Sequence, residues 1–306
     1  MRKGIEFSFA WLFSIVAGAV IIFLAIYAGA RMISSSQYQA STATAKELSI
    51  IFEPLETGLA SGMSTQAVLS SETRIYNDCM MTGIFGKQEI SLATKSGRSW
   101  SAPGGKIPIE NKYLFSENIV EGKKIYFFSM PFEFPFKVAD MIVMFSKEYC
   151  LLNAPGFIEE DIENLNLGNV KFNENCSKDS VQVCFGAGTK CDVAAYSNDG
   201  YETGYVTRGY EKVYFIKNLL YPAIFSDAAS YECNVKRLMK KASQLALVYR
   251  DESNLLSVKC SVVSGSSLSD FAIQAAKVNS SSQIALLAGS ANIIDSDNNF
   301  AECRLW

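Results

Sequence analysis

Residues 7–30, FSFAWLFSIVAGAVIIFLAIYAGA, carry no charged side chain, and beyond them apolar residues return only in short periodic clusters. As a helix this run rises about 36 Å at 1.5 Å per residue, enough to cross a hydrocarbon core of about 30 Å. Leu48, Ile51, Phe52, Leu55 and Leu59 follow at helical spacing and predict an amphipathic helix within 31–62. Pro54 interrupts that pattern, and Gly58 and Ser61-Gly62 end it. The serine run Ser34-Ser35-Ser36 offers a flexible stalk as the weaker alternative, so the segment is read as amphipathic helix or stalk.

From residue 63 the period changes. Segments 65–71, 73–80 and 87–94 alternate as short strands, and 101–106 (SAPGGK) is a loop and a candidate internal boundary. Segments 123–136 and 139–152 are strongly apolar and β-prone. A helix is expected over 157–167 after Pro155-Gly156, with Glu159, Glu160 and Asp161 in its first turn where the helix dipole favours acids. Strands are expected at 168–174, 180–186, 190–197 and 211–217. Tyr231, Val235, Leu238, Met239, Ala242, Leu245, Ala246 and Tyr249 form one stripe, predicting a helix over 227–249. Segments 268–278 and 283–294 are shorter helices. The expected fold is α+β: a transmembrane helix continuing into an amphipathic one, then a mixed or antiparallel sheet domain over 63–306 with C-terminal helices.

Arg2 and Lys3 favour a cytoplasmic tail over 1–6, which leaves residues 63–306 outside a cell membrane crossed once. Phe7, Phe9, Trp11 and Phe13 at one end of the run and Tyr27 at the other suit the two interfaces. A cleaved signal ending at Ala28-Gly29-Ala30 competes, although 24 apolar residues exceed the usual signal core. Ala10, Ser14, Gly18, Ala25 and Gly29 share one helical face where two backbones could approach, so the bilayer and other membrane or surface subunits are the expected partners.

A net charge of −3 and the lack of a dense basic patch argue against nucleic acid. Lys236-Arg237 and Lys240-Lys241 read as the solvated face of their helix. The eight cysteines, Cys79, Cys150, Cys176, Cys184, Cys191, Cys233, Cys260 and Cys303, all lie beyond the apolar run and read as disulfides of an oxidising compartment. Cys184 and Cys191 flank a turn and suit a clip across a hairpin; Cys260 and Cys303 bracket a helical stretch. Asn175 and Asn279 begin glycosylation sequons.

The chain has no histidine, so Ser-His-Asp, Cys-His and Cys/His zinc chemistry are excluded, and no C-x-x-C, P-loop or G-x-G-x-x-G occurs. Asp295-Ser296-Asp297-Asn298-Asn299 begins like a calcium loop but has Phe300 where glycine is required, and reads as a solvated loop. Phe127, Phe128, Phe132, Phe134 and Phe136 suit a buried sheet face better than an exposed patch. No catalytic residue, cofactor or metal site is expected, and an anchored hydrolase without a motif is the weaker alternative.

The start Arg2-Lys3-Gly4-Ile5-Glu6-Phe7 resembles the processing region of archaeal class III signal peptides, as in type IV pilin-like proteins. That resemblance implies cleavage after Gly4, a new terminus at Ile5 with Glu6 as its acidic residue, and an apolar helix that packs into a filament core. KGIEFSFAWLF, PLETG at 54–58, ETRIYN at 72–77 and YECNVKRLMKK at 231–241 are similar to an uncharacterised group of membrane-anchored archaeal surface proteins. Three functions follow as expectations: a pilin-like or minor pilin-like component of a surface filament or secretion apparatus, a tethered binding or adhesion protein, or an anchored enzyme.

Overall fold

The computed structural model describes residues 9–56, 63–173, 176–186 and 191–306, with 53–56 as backbone alone. The candidate processing residues Gly4, Ile5 and Glu6, the sequon at Asn175, and Leu59 lie outside the described residues. One unbroken helix, α1 (Phe9–Glu56), takes up the apolar run and the amphipathic segment together. The stalk reading fails because the polar residues serve the helix. Ser34 Oγ donates to the Arg31 carbonyl (3.0 Å), Thr42 Oγ1 to Tyr38 (2.8 Å) and Thr44 Oγ1 to Ala40 (3.0 Å). Hydroxyls bonded back along the helix no longer compete with its backbone pairing.

The first sheet contains β1 (Met63–Met80), β2 (Lys87–Ser96), β3 (Ser99–Trp100), β4 (Ile107–Ile109), β5 (Tyr113–Phe115), β6 (Ile119–Glu133) and β7 (Lys137–Phe145). Its order is β3-β2-β1-β6-β7-β5, with β4 also on β2, and it is antiparallel except where β5 lies parallel to β7. The two strands expected at 65–71 and 73–80 are one strand whose pairing with β6 shifts register between Val68 and Thr73, a bulge rather than a turn. Loop 101–106 lies between β3 and β4 and packs on α1, where the Gly105 amide donates to Thr42 Oγ1 (2.7 Å).

Both faces of this sheet are covered, and the alternation along β6 and β7 sorts the side chains. Ile125, Phe127, Ile142 and Met144 face Ala45, Leu48 and Phe52 of α1, with the Phe52 and Phe127 rings 5.7 Å apart, edge to face. Phe128, Met130, Phe132, Met141, Val143 and Phe145 enter the larger core on the other side, with Phe134 and Phe136. The phenylalanine cluster is therefore buried, as expected, but divided between two cores.

The second sheet holds β8 (Tyr149–Leu152), β9 (Val170–Phe172), β10 (Val181–Phe185), β11 (Val193–Tyr196), β12 (Thr203–Arg208) and β13 (Glu211–Ile216), in the order β13-β12-β11-β10-β8-β9. Around it lie α2 (Gly156–Asn164), α3 (Leu220–Phe225), α4 (Ala228–Leu256), α5 (Gly265–Ala276) and α6 (Ile284–Phe300). The α+β class stands. Asp227 caps α4: its Oδ1 accepts from the Ser230 amide (2.8 Å) while Oδ2 accepts from the Asn118 amide (2.6 Å), tying the helix to the first sheet.

All eight cysteines pair, as Cys79–Cys233, Cys150–Cys176, Cys184–Cys191 and Cys260–Cys303. The hairpin expected around Cys184 and Cys191 is corrected. β10 and β11 run parallel, Val183 opposite Val193, so the disulfide joins β10 to the residue two before β11 and does not clip a hairpin. The supposed solvated loop at Asp295–Asn299 is also corrected, being the last turns of α6. Asn298 is buried there, donating to the Trp306 carbonyl (3.0 Å) and accepting from the Leu305 amide (2.7 Å), and Asp295 accepts from Trp306 Nε1 (3.2 Å). The C-terminal residues fold back on that helix and consume the polar groups that read as a loop.

Candidate functional site

The feature with the clearest physical consequence is the bare half of α1. No residue from Phe9 to Ala40 is buried, and the best 18-residue stretch has a mean hydropathy of 2.6. Burial begins at Ser41 and continues through Ala45, Leu48 and Phe52, at steps of four, three and four, where the helix docks on the sheet. One rigid element thus serves two environments. Phe9, Phe13, Ile22, Phe23 and Ile26 stand outward with nothing in the chain to cover them, a composition long and apolar enough to cross a bilayer.

The C-terminal end of this half carries residues suited to an interface. Phe23 and Tyr27 stack with centroids 6.5 Å apart, and the Arg31 guanidinium lies 5.7 Å from the Tyr27 ring, an arrangement that suits a charge held at a membrane surface. Ser14 Oγ donates to the Ala10 carbonyl (2.8 Å), so its hydroxyl needs no partner from outside the helix. Ala10, Ser14, Gly18, Ala25 and Gly29 fall within an arc of roughly 100° at 3.6 residues per turn. A Cβ built on Gly18 or Gly29 meets nothing within 4 Å. The predicted small-residue face is present and uncovered.

Two of the domain's cavities have ionisable side chains in walls built from several elements. The larger, about 500 Å³, opens between β6, α2, the β11–β12 connection and α3, and is lined by Glu133, Phe157, Asp161, Tyr201, Glu202 and Lys217 among others. Tyr221 at its wall donates to the Asp161 carboxylate. Burial, then that hydrogen bond, raises the Tyr221 phenol well above its ordinary range. The phenol therefore keeps its proton and donates it in a hydrogen bond to the carboxylate.

The second cavity, about 330 Å³, has Arg237 in its wall with Ile84, Phe85, Lys87, Pro108, Glu110 and Tyr113. The reading of Arg237 as part of a solvated face is overturned: it is 2 % exposed and among the largest fully buried side chains. Its Nη1 donates to Gln88 Oε1 and Asn234 Oδ1, both at 2.8 Å, and its Nε donates to the Phe85 carbonyl (3.1 Å). Gln88 Nε2 continues the network to Asn77 Oδ1 (2.8 Å), and Asn77 Nδ2 donates to Ser116 Oγ (2.8 Å). The Tyr113 ring lies 4.9 Å from the guanidinium. Burial lowers the Arg237 pKa, opposed by Tyr113. Gly86, at φ +69°, lets the 82–87 loop cross the arginine stem; a Cβ there would come within 2.8 Å of Arg237 Cγ. The signal in the sequence was Asn234, Arg237 and Lys241, a polar row at i, i+3 and i+7 beside the apolar stripe.

The sequon Asn279 is exposed just after α5. Among the described residues no cluster of metal-ligating side chains occurs. No protein-family model, curated protein or solved structure matches the chain.

Proposed function

We propose that this chain is a pilin-like or minor pilin-like subunit of a surface filament or secretion apparatus, anchored in a cell membrane by α1. The tail before the helix is cytoplasmic, and the disulfide-bonded α+β domain faces the outside. The observation that carries the reading is α1 itself: its C-terminal part is packed on the sheet while its N-terminal part, in the same unbroken helix, stands bare. A plain tether needs no such continuity. A subunit that must present an apolar helix at a fixed angle to identical neighbours does. The small-residue face supports close helix contact, the resemblance of residues 2–7 to class III signals supports processing at Gly4, and four disulfides support an oxidising exterior. The role is structural or interaction-based rather than catalytic.

Cysteine cross-linking in native membranes tests the assembly. All native cysteines are paired, so a new one is the only free thiol. Gly18→Cys gives a covalent dimer on mild oxidation, and Phe23→Cys, on the opposite side of the helix, gives at least tenfold less. Equal yields from both positions, or none from either, leave a tethered binding or adhesion protein that forms no filament.

A further inference from the structure

Arg237 holds a positive charge inside the protein that the protein does not neutralise. Among the described residues no carboxylate forms an ion pair with it, and its acceptors Gln88, Asn234 and the Phe85 carbonyl are all neutral. Removing one partner from a buried ion pair is strongly destabilising because the remaining charge is uncompensated. Here that uncompensated state is built in.

The geometry points to the missing counter-charge. Nε and Nη1 are fully used, so Nη2 is the donor left over. Among the described residues the sealed side-chain atoms lacking a partner are Ser41 Oγ, Asn169 Oδ1, Arg208 Nε and Ser230 Oγ. Nη2 is not among them, so it is not sealed off, and Arg237 lines the cavity. The neighbouring lysines are largely offset by carboxylates of their own, Lys106 lying 2.6 Å from Asp78. Lys87 is paired with Glu89, which Lys106 also approaches at 4.0 Å. Lys241 stands 5.6 Å from the same Tyr113 ring that faces Arg237. Glu110 shares the lining without an ion pair to Arg237. The remaining wall, Ile84, Phe85, Pro108, Ile109 and Tyr113, is largely apolar.

We infer that this cavity is a binding site for a small carboxylate ligand with an apolar body, its carboxylate on Arg237 Nη2 and its body against Ile84, Phe85 and Tyr113. One open nitrogen suits a monoanion better than a phosphate, which calls for more donors. About 330 Å³ lies at the small end of ligand pockets. The site does not depend on assembly, so it stands or falls apart from the pilin-like reading.

The test is calorimetric titration of the full-length protein in detergent with benzoate, with benzyl alcohol as its neutral counterpart and inorganic phosphate as the competing anion. Benzoate binds with a Kd of about 1 mM or tighter, and benzyl alcohol and phosphate bind at least tenfold more weakly. Arg237→Gln weakens benzoate at least tenfold. Should that variant fail to fold, Ile84→Asp carries the test, since it places a repelling carboxylate at an exposed position of the cavity rim and leaves the buried network intact; it also weakens benzoate at least tenfold. No benzoate binding, equal binding of the alcohol, tighter binding of phosphate, or unchanged affinity in Ile84→Asp overturns the assignment.

Discussion

Phe225→Ala lowers the stability of the domain by about 3–5 kcal/mol, the range for emptying an aromatic site in a packed core. Phe225 ends α3 and is buried where three rings converge, with centroids at 4.6 Å to Tyr149, 4.8 Å to Phe145 and 5.4 Å to Phe128. Those three belong to β8, β7 and β6, so this side chain joins the two sheets at the place where the chain passes from one to the other. Sheet residues on three sides cannot collapse into the space, which puts the cost at the upper part of the range. Urea unfolding of the full-length protein in detergent measures it, with an unchanged slope showing that stability alone moved. Phe157→Ala, about half exposed on α2, shifts the same midpoint by less than a third as much. Equal shifts for the two would mean that the junction is not the centre of the core.

Val16→Arg combined with Val20→Arg removes the protein from the membrane. Both positions lie in the middle of the apolar run, four residues apart on the side away from the small-residue face. Arginine at a helix centre costs about 2.5–3.5 kcal/mol on insertion scales, so two together cost about 5–7 kcal/mol. That matches or exceeds the roughly 3–6 kcal/mol that the leucine, isoleucine and phenylalanine side chains of the run contribute. Both residues are exposed and touch nothing in the domain, so the fold outside the membrane is unaffected. Alkaline carbonate extraction followed by thiol titration separates the outcomes. The double variant appears in the supernatant with its disulfides missing, because it never reaches the oxidising side, whereas Val16→Leu with Val20→Leu stays in the pellet. A double-arginine variant that remains in the pellet would show that residues 9–30 are not what holds the chain.

The sequence announced this helix more clearly than anything else, because a run without charge has few physical uses. Period-two alternation located β2, strongly apolar and β-prone runs located β6 and β7, and the apolar stripe located α4, which extends to Leu256, beyond the predicted end. The pairs Cys184–Cys191 and Cys260–Cys303 were legible because each is local or brackets one helical unit. Cys79–Cys233, separated by 154 residues, was not, since nothing local shows that β1 ends beside α4. β12 went unread because Thr203, Gly204, Thr207 and Arg208 carry no apolar alternation; its pairing with β11 and β13 makes it a strand. The same limit hid the site at Arg237. A basic residue between Lys236 and Lys240 has the pattern of a solvated face, and only the return of Gln88 and the 82–87 loop onto α4 buries it. Local pattern showed which segments are helix or strand. It could not show which polar residues the topology would enclose.

The N-terminal residue of the protein taken from native membranes, read by mass spectrometry, tests the central claim most directly. The pilin-like account predicts a terminus at Ile5, with residues 1–4 removed and α1 retained. Met1 still in place would contradict processing and leave a simple tether, and a terminus at Arg31 would contradict the anchor itself.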